Sequence, residues 1–142
     1  MDLDIREVEV WSGSINDDPG ALAEKVAILA KAGEDLDFVV ARRLGSDRAV
    51  MFVAPIRDVA AAAGAGLTRA TDLHALRVEA RNRSGLGAEM MRLIGEDGIS
   101  VRGLSVAVIG ELSVTYLAFD NEAEARKART TLELDLRAIE GT

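Results

Sequence analysis

The alternation of hydrophobic and polar positions in the first half of the chain predicts a series of short strands and helices. Val8-Glu9-Val10 alternates apolar with polar positions, which is typical of a half-buried strand. After a loop over 12–20, Leu22, Val26 and Leu29 recur at helical spacing up to Gly33, where we expect the helix to end. The same reasoning predicts a strand over 36–41, a hairpin turn over 42–47, a strand over 49–54, a helix over 55–63 and a short strand over 67–71.

The same order of elements begins again after residue 73. Leu76 to Ala80 alternate like the first strand, and Met91 and Ile94 continue a helical stripe up to Gly98. The remaining predicted elements are a loop over 81–85, strands over 99–109 and 112–119, and a helix from 120 to about 132. The last strand of such a unit would fall in 133–138, where the alternation is poor.

Two pairs of glycines place the halves of the chain in register. Gly20 and Gly85 are 65 positions apart, and so are Gly33 and Gly98. The helical apolar positions coincide at the same offset, although few letters are identical. We therefore expect an internal repeat of pattern, with one module at 1–72 and a second at 73–142.

Composition narrows the class of protein. The formal net charge of −7 argues against proteins that bind nucleic acid or an anionic membrane surface, because both need a basic surface. The absence of cysteine excludes disulfides and thiolate metal sites and favours a cytoplasmic location. The acidic N-terminal residues do not resemble a signal peptide, and the apolar stretch over 59–67 is too short to span a bilayer.

Asp18-Pro19-Gly20-Ala21-Leu22, followed by Val26, Leu29 and Gly33, resembles the ACT-domain family. Arg83-Ser84-Gly85-Leu86-Gly87 is similar to a diverged second copy, in which Ser84 replaces proline and Gly87 replaces leucine. The resemblance implies an α+β fold with two ferredoxin-like βαββαβ modules in tandem, each an antiparallel sheet with its helices on one face. It also implies pairing of modules, and an amino-acid effector near the first strand–helix loop.

The first loop has the groups that a free amino acid requires. Side-chain oxygens suit the ammonium group, and unpaired N–H groups at a helix N-terminus suit the carboxylate. The candidate residues are Asn16, Asp17, Asp18, Pro19, Gly20, Ala21 and Leu22. A side chain in place of Gly20 is expected to obstruct the ligand while the fold tolerates it. In the alternative interpretation Asp18 only caps the helix, Asp17 is solvated and Gly20 is a turn residue.

The second loop is basic, and an arginine fork could pair with a carboxylate or phosphate. Its candidate residues are Arg81, Asn82, Arg83, Ser84, Gly85, Leu86 and Gly87. The alternative is a solvated loop that offsets an acidic protein. His74 is expected to be partly buried and structural, and Trp11 is expected on the sheet face opposite the helices.

We expect a regulatory sensor that binds a small effector, with an amino acid as the first candidate. It is expected to act allosterically as a homodimer on a partner enzyme or regulator, without a cofactor, a metal ion or catalysis. The alternative is a ligand-free module for oligomerisation or docking. An enzyme of the acylphosphatase type lacks its phosphate loop here, and an RNA-recognition fold would need strand aromatics in a basic setting.

Overall fold

The structure is a computed structural model that describes residues 3–136. The strands are β1 Asp4–Val8, β2 Trp11–Asn16, β3 Phe38–Leu44, β4 Arg48–Ala54, β5 Thr68–Arg69, β6 His74–Arg81, β7 Gly103–Ile109 and β8 Leu112–Phe119. The α-helices are α1 Ala21–Lys31, α2 Val59–Gly64, α3 Leu86–Glu96 and α4 Glu122–Thr131, and a π-helical turn over Leu132–Leu136 follows α4. Within this range no helix is long and apolar enough to cross a membrane.

The chain folds as two compact units. The contiguous unit is Glu9–Thr71, and the split unit combines Met1–Val8 with Asp72–Thr142. Each unit contains one four-stranded antiparallel sheet, with the order β3-β4-β2-β5 in the contiguous unit and β1-β6-β8-β7 in the split unit. The predicted α+β class with two βαββαβ-like modules is confirmed.

The contiguous unit buries one parity of its strands under α1 and α2. Trp11, Ile15 and Met51 from the strands pack with Leu29 from α1 and Ala62 from α2. The expectation for Trp11 was wrong, because its side chain lies in this core and is 5% exposed. The predicted strand over 8–10, continued to Trp11, placed the Trp11 side chain on the wrong face of the sheet. In the structure β2 begins at Trp11 and continues through residues 12–16, which were predicted as loop.

The split unit obtains its outer strand from the beginning of the chain. β1 pairs with β6 in antiparallel fashion, with Ile5 opposite Val78. The predicted modules 1–72 and 73–142 differ from the observed units at this point, because residues 4–8 join the second sheet. The predicted last strand over 133–138 is also wrong as far as the structure describes it. Residues 132–136 are helical, and residues 137 and 138 lie outside the described range.

The internal repeat places the four glycines at equivalent ends of two helices. Gly20 and Gly85 precede α1 and α3 with φ of 86° and 84°, and Gly33 and Gly98 follow these helices with φ of 81° and 75°. All four angles lie in the left-handed region, where only glycine avoids a clash of Cβ. The offset of 65 falls to 64 after the hairpins, because three residues connect β3 to β4 and two connect β7 to β8.

The second helix of the contiguous unit starts later than predicted. α2 begins at Val59, because the side chain of Asp58 accepts a hydrogen bond from the Ala61 N–H at 3.1 Å and caps the helix there. Proline at position 55 is therefore part of the preceding connection rather than the first helical residue.

Candidate functional site

The first predicted loop lies at one end of the contiguous unit's sheet, next to the β3–β4 hairpin. β2 ends at Asn16, opposite Arg48, so the hairpin turn meets the loop at this end. The Asp17 N–H donates to the Asp47 carbonyl at 3.1 Å and fixes the loop against the hairpin. Gly20 then turns the chain into α1, which leaves the N–H groups of the first helical turn directed toward the loop.

An ion pair neutralises one of the three side chains whose oxygens were predicted to accept hydrogen bonds from an ammonium group. The Asp17 carboxylate accepts from Arg43 at two atoms, with Nε–Oδ2 at 2.9 Å and Nη2–Oδ1 at 3.2 Å. Such a two-point pair satisfies both charges, so Asp17 neither is a solvated residue nor offers an unpaired carboxylate to an ammonium group. Sequence reasoning missed Arg43, although the antiparallel hairpin brings that position to the loop.

The predicted role of Asp18 as a helix cap was wrong. Gly20 is the residue that precedes α1, and no side chain makes a cap hydrogen bond there. Asp18 takes part through its backbone instead, since its carbonyl accepts from the Ala21 N–H at 3.1 Å. Asp18 and Asn16 are both exposed, so the loop that precedes α1 has two side chains whose oxygens can accept hydrogen bonds.

Gly20 itself is less tolerant of substitution than the sequence indicated. No heavy atom would lie within 4 Å of an added Cβ, so there is room for a side chain. The backbone, however, has φ of +86°, which strains any L residue. A bulky residue at Gly20 would therefore lower stability as well as affect a ligand.

The second predicted loop repeats this geometry in the split unit. The Asn82 N–H donates to the Glu111 carbonyl at 2.8 Å, which matches the Asp17 contact in the first loop. Leu86 is buried and unavailable to a ligand, whereas an added Cβ at Gly87 would meet no atom within 4 Å. Arg81, Arg83 and Ser84 are exposed on the loop, together with Gly85.

The two loops differ in charge at the hairpin. Arg43 pairs with Ala49 across the first hairpin, and Val108 has the same place opposite Ser113 in the second. The first turns of both helices have a glutamate, Glu24 in α1 and Glu89 in α3, but only Glu89 has an arginine, Arg92, three residues later. The hydrogen bond from Arg92 holds the pKa of Glu89 below its usual value, against a smaller opposing effect of desolvation. An anion at the α3 N-terminus would thus find Glu89 already ionised and paired.

The fourteen predicted site residues therefore form two clusters of seven, one in each unit. Each cluster combines the start of a helix with a hairpin turn at the same end of its sheet. Among residues 3–136, no group of three or more histidine, aspartate or glutamate side chains is arranged to hold a metal ion.

Neither a protein-family model nor a curated protein sequence matches the chain. Solved structures do match it. Protein BT0572 from Bacteroides thetaiotaomicron has a TM-score of 0.73 at 14% identity, over 91% of this chain and 88% of that one. The ligand-free regulatory subunit of aspartate kinase from Thermus thermophilus has a TM-score of 0.61 at 17% identity, over 92% and 95% of the two chains.

The chain has the tandem ACT fold. The resemblance seen in the sequence is thus confirmed at the level of the fold. A third structure, Escherichia coli aspartokinase III in complex with lysine and aspartate, matches with a TM-score of 0.55 at 10% identity. That match covers 94% of this chain and 32% of the aspartokinase, which is a much longer protein.

Proposed function

We propose that this tandem ACT protein is a non-catalytic regulator that binds an amino acid at the first loop of the contiguous unit. The observation that carries the proposal is that no side chain caps the N-terminus of α1, while the preceding loop has two exposed side chains, Asn16 and Asp18, whose oxygens can accept hydrogen bonds. The Leu22 N–H group would receive the carboxylate, since it lies at the positive end of the helix dipole. Asn16 and Asp18 would receive the ammonium group.

The solved neighbours support a regulatory role for this fold. Regulatory subunits of aspartate kinase share the fold, and the aspartokinase III neighbour was solved with lysine and aspartate bound. We further propose that the chain acts as a homo-oligomer on a partner enzyme or regulator. A signal then requires that the amino acid bind two states of the assembly with different affinities.

A thermal-shift panel of the twenty amino acids, followed by calorimetry, tests the proposal. We expect one or a few amino acids to raise the melting temperature. Asp18→Asn should weaken their binding by about tenfold or more, because the ammonium group would lose the negative charge of its hydrogen-bond partner. Asp35→Asn is the matched control, because Asp35 is also exposed but lies beyond α1, outside the first loop.

The second loop provides the competing outcome. If Arg83→Gln weakens binding and Asp18→Asn leaves it unchanged, the effector site lies in the split unit instead. If no amino acid binds at millimolar concentration, a ligand-free module for oligomerisation or docking is the better description. The specific observation that favours this second function is the uncharged edge strand β7.

A further inference from the structure

The sheet of the contiguous unit has a side opposite α1 and α2, which we call the outer face. Odd-numbered positions of β2 and β4, such as Ile15 and Met51, pack toward the helices, so even-numbered positions are directed to the outer face. The register adds the even-numbered positions of β3, since Arg42 is opposite Val50. Among these strand positions the outer face has two arginines, Arg42 and Arg48, and no aspartate or glutamate. It is therefore locally basic, although the chain has a net charge of −7.

The two arginines of the outer face lack partners. Among residues 3–136 neither the Arg42 nor the Arg48 side chain forms an ion pair or a hydrogen bond, whereas Arg43 on the helix side is held by Asp17 at 2.9 Å. Arg48 is opposite Leu44, so the two arginines are diagonal neighbours on one face, with Cα atoms about 7–8 Å apart. Like charges at this separation repel each other, and an anion bound between them would remove the repulsion.

The equivalent face of the split unit has a different arrangement of charge. Arg77 lies 3.4 Å from the Glu79 carboxylate and donates to the Tyr116 hydroxyl at 3.3 Å. The positions equivalent to the two arginines of the outer face are Ala107 and Leu112, at offsets of 65 and 64. A pair of unpartnered arginines is thus a feature of the contiguous unit and not a requirement of the fold.

An aromatic ring lies beside the arginines on the outer face. Phe52 is half-buried, and Val50 lies between it and Arg48 along β4. Side chains on one side of a strand repeat about every 7 Å, so the ring and the arginines are on either side of Val50. β2 adds hydroxyl groups, since Ser12 is opposite Phe52 and Ser14 is opposite Val50. Because a sheet face is nearly flat, a planar ring stacked on Phe52 gains the most contact there.

We propose that the outer face of the contiguous unit binds a nucleoside phosphate, in addition to the amino acid of the proposed function. In this arrangement the phosphate lies between Arg42 and Arg48. The sugar then lies over Val50, next to Ser14, and the base stacks on Phe52. Guanidinium groups pair with phosphate oxygens through parallel N–H groups, and every base has a face that can stack on an aromatic ring.

A single nucleotide matches this surface better than a nucleic acid does. Tight binding of a long polyanion requires that many phosphates be neutralised, and the net charge of −7 on this chain opposes it. One phosphate group needs only the two arginines that the outer face provides. The charge of the surface therefore selects a mononucleotide.

Calorimetry of the whole chain with adenosine monophosphate, adenosine and inorganic phosphate tests the proposal. At low salt we expect the nucleotide to bind tighter than adenosine or phosphate by about tenfold or more, because only the nucleotide engages both the ring and the arginines. Arg42→Gln, Arg48→Gln and Phe52→Leu should each weaken its binding by about tenfold. Arg57→Gln is the matched control and should leave the affinity unchanged, since Arg57 is an exposed arginine of the same unit outside the strands.

The variants separate binding from folding. Arg42 and Arg48 are exposed and unpartnered, so their substitution should leave the melting temperature of the free protein unchanged. Phe52→Leu keeps an apolar side chain but removes the ring, so it should weaken adenosine and adenosine monophosphate without changing the affinity for phosphate. Asp18→Asn should not affect the nucleotide, so failure of the amino-acid site is distinguishable from failure of this one.

Several results would overturn the proposal. Inorganic phosphate that binds as tightly as adenosine monophosphate reduces the surface to an anion site that does not recognise a nucleoside. Absence of nucleotide binding at millimolar concentration, or equal losses for Arg42→Gln and Arg57→Gln, rejects the site altogether. A single-stranded oligonucleotide that binds far more tightly than the mononucleotide assigns the outer face to nucleic acid instead.

Discussion

Substitution of Gly20 and Gly85 tests the backbone geometry on which both candidate loops depend. The two residues have φ of 86° and 84°, and an added Cβ at either would meet no heavy atom within 4 Å. A side chain therefore encounters no steric barrier from neighbours, and its cost comes from the backbone alone. We expect Gly20→Ala and Gly85→Ala to destabilise the protein by similar amounts.

The magnitude follows from two opposing effects. The left-handed conformation costs an L residue roughly 1–2 kcal/mol. Replacing glycine also reduces the conformational entropy of the unfolded chain, which returns about 0.4–1 kcal/mol. The net loss is about 1 kcal/mol for each substitution, or roughly 2–4 °C in melting temperature for a chain of about this length.

Gly87 supplies the matched control. It lies inside α3, its φ is not positive, and an added Cβ would again meet no atom within 4 Å. Gly87→Ala should therefore raise the unfolding free energy by about 0.5–1 kcal/mol, because alanine favours the helix. Urea denaturation and differential scanning calorimetry on the three variants measure the effect. If Gly20→Ala or Gly85→Ala stabilises the protein as Gly87→Ala does, the left-handed geometry of that loop is wrong.

Three further substitutions probe the packing of the split unit. Thr115→Val should raise the unfolding free energy by about 1 kcal/mol in urea titration. Thr115 is 1% exposed, and its hydroxyl has no hydrogen-bond partner within the described residues. A decrease would indicate that the hydroxyl bonds to buried water. Asn121→Ala should lower the unfolding free energy by about 1 kcal/mol, because the Asn121 side chain caps α4 by accepting from the Glu124 N–H at 2.8 Å. Asn121→Ser should preserve most of the stability, and equal losses for the two variants would argue against the cap. Ile5→Ala should cost about 2–4 kcal/mol and accelerate hydrogen exchange in β6, and unchanged β6 exchange would contradict the pairing of β1.

The ends of α1 and α3 could be predicted from the sequence because their determinants are local. A glycine that must adopt positive φ marks a helix end regardless of what packs against the helix. Gly20, Gly33, Gly85 and Gly98 all have this role, so their spacing of 65 gave the correct repeat. The apolar stripe of α1 likewise identified Leu29 as a core residue before its partners were known.

The assignment of β1 could not be predicted, because strand pairing is not a local property. Alternation shows that a segment fits a half-buried strand, but it does not identify the sheet that the strand joins. Residues 4–8 precede the contiguous unit in sequence, yet Asp4 is opposite Glu79, in the other unit. The same uncertainty about parity misplaced Trp11, whose burial follows from the true start of β2.

The sequence predicted the two loops of the candidate site but not the charged residues that meet them. Its charge state depends on Arg43, which is 26 residues from Asp17 and reaches it through the β3–β4 hairpin. The register of that hairpin follows from a three-residue turn, whereas the sequence predicted a turn of six residues. Equivalent positions in the second repeat have Asn82 and Val108, so similar loops differ in charge for a reason that only the register reveals.

The position of β1 links the two repeats energetically, although each has its own core. The contiguous unit joins its own ends, since the Val10 carbonyl accepts from the Ala70 N–H at 2.9 Å. Once that unit has folded, Val8 reaches its partner Ala75 across a few residues instead of more than sixty. Because the loop between β1 and β6 becomes about tenfold shorter, the entropic free-energy cost of closing it falls by about 2 kcal/mol. Stability of the contiguous unit therefore favours completion of the split unit's sheet, and the coupling is reciprocal. An effector that stabilises the first loop would promote docking of β1 at one edge of the sheet whose other edge is β7.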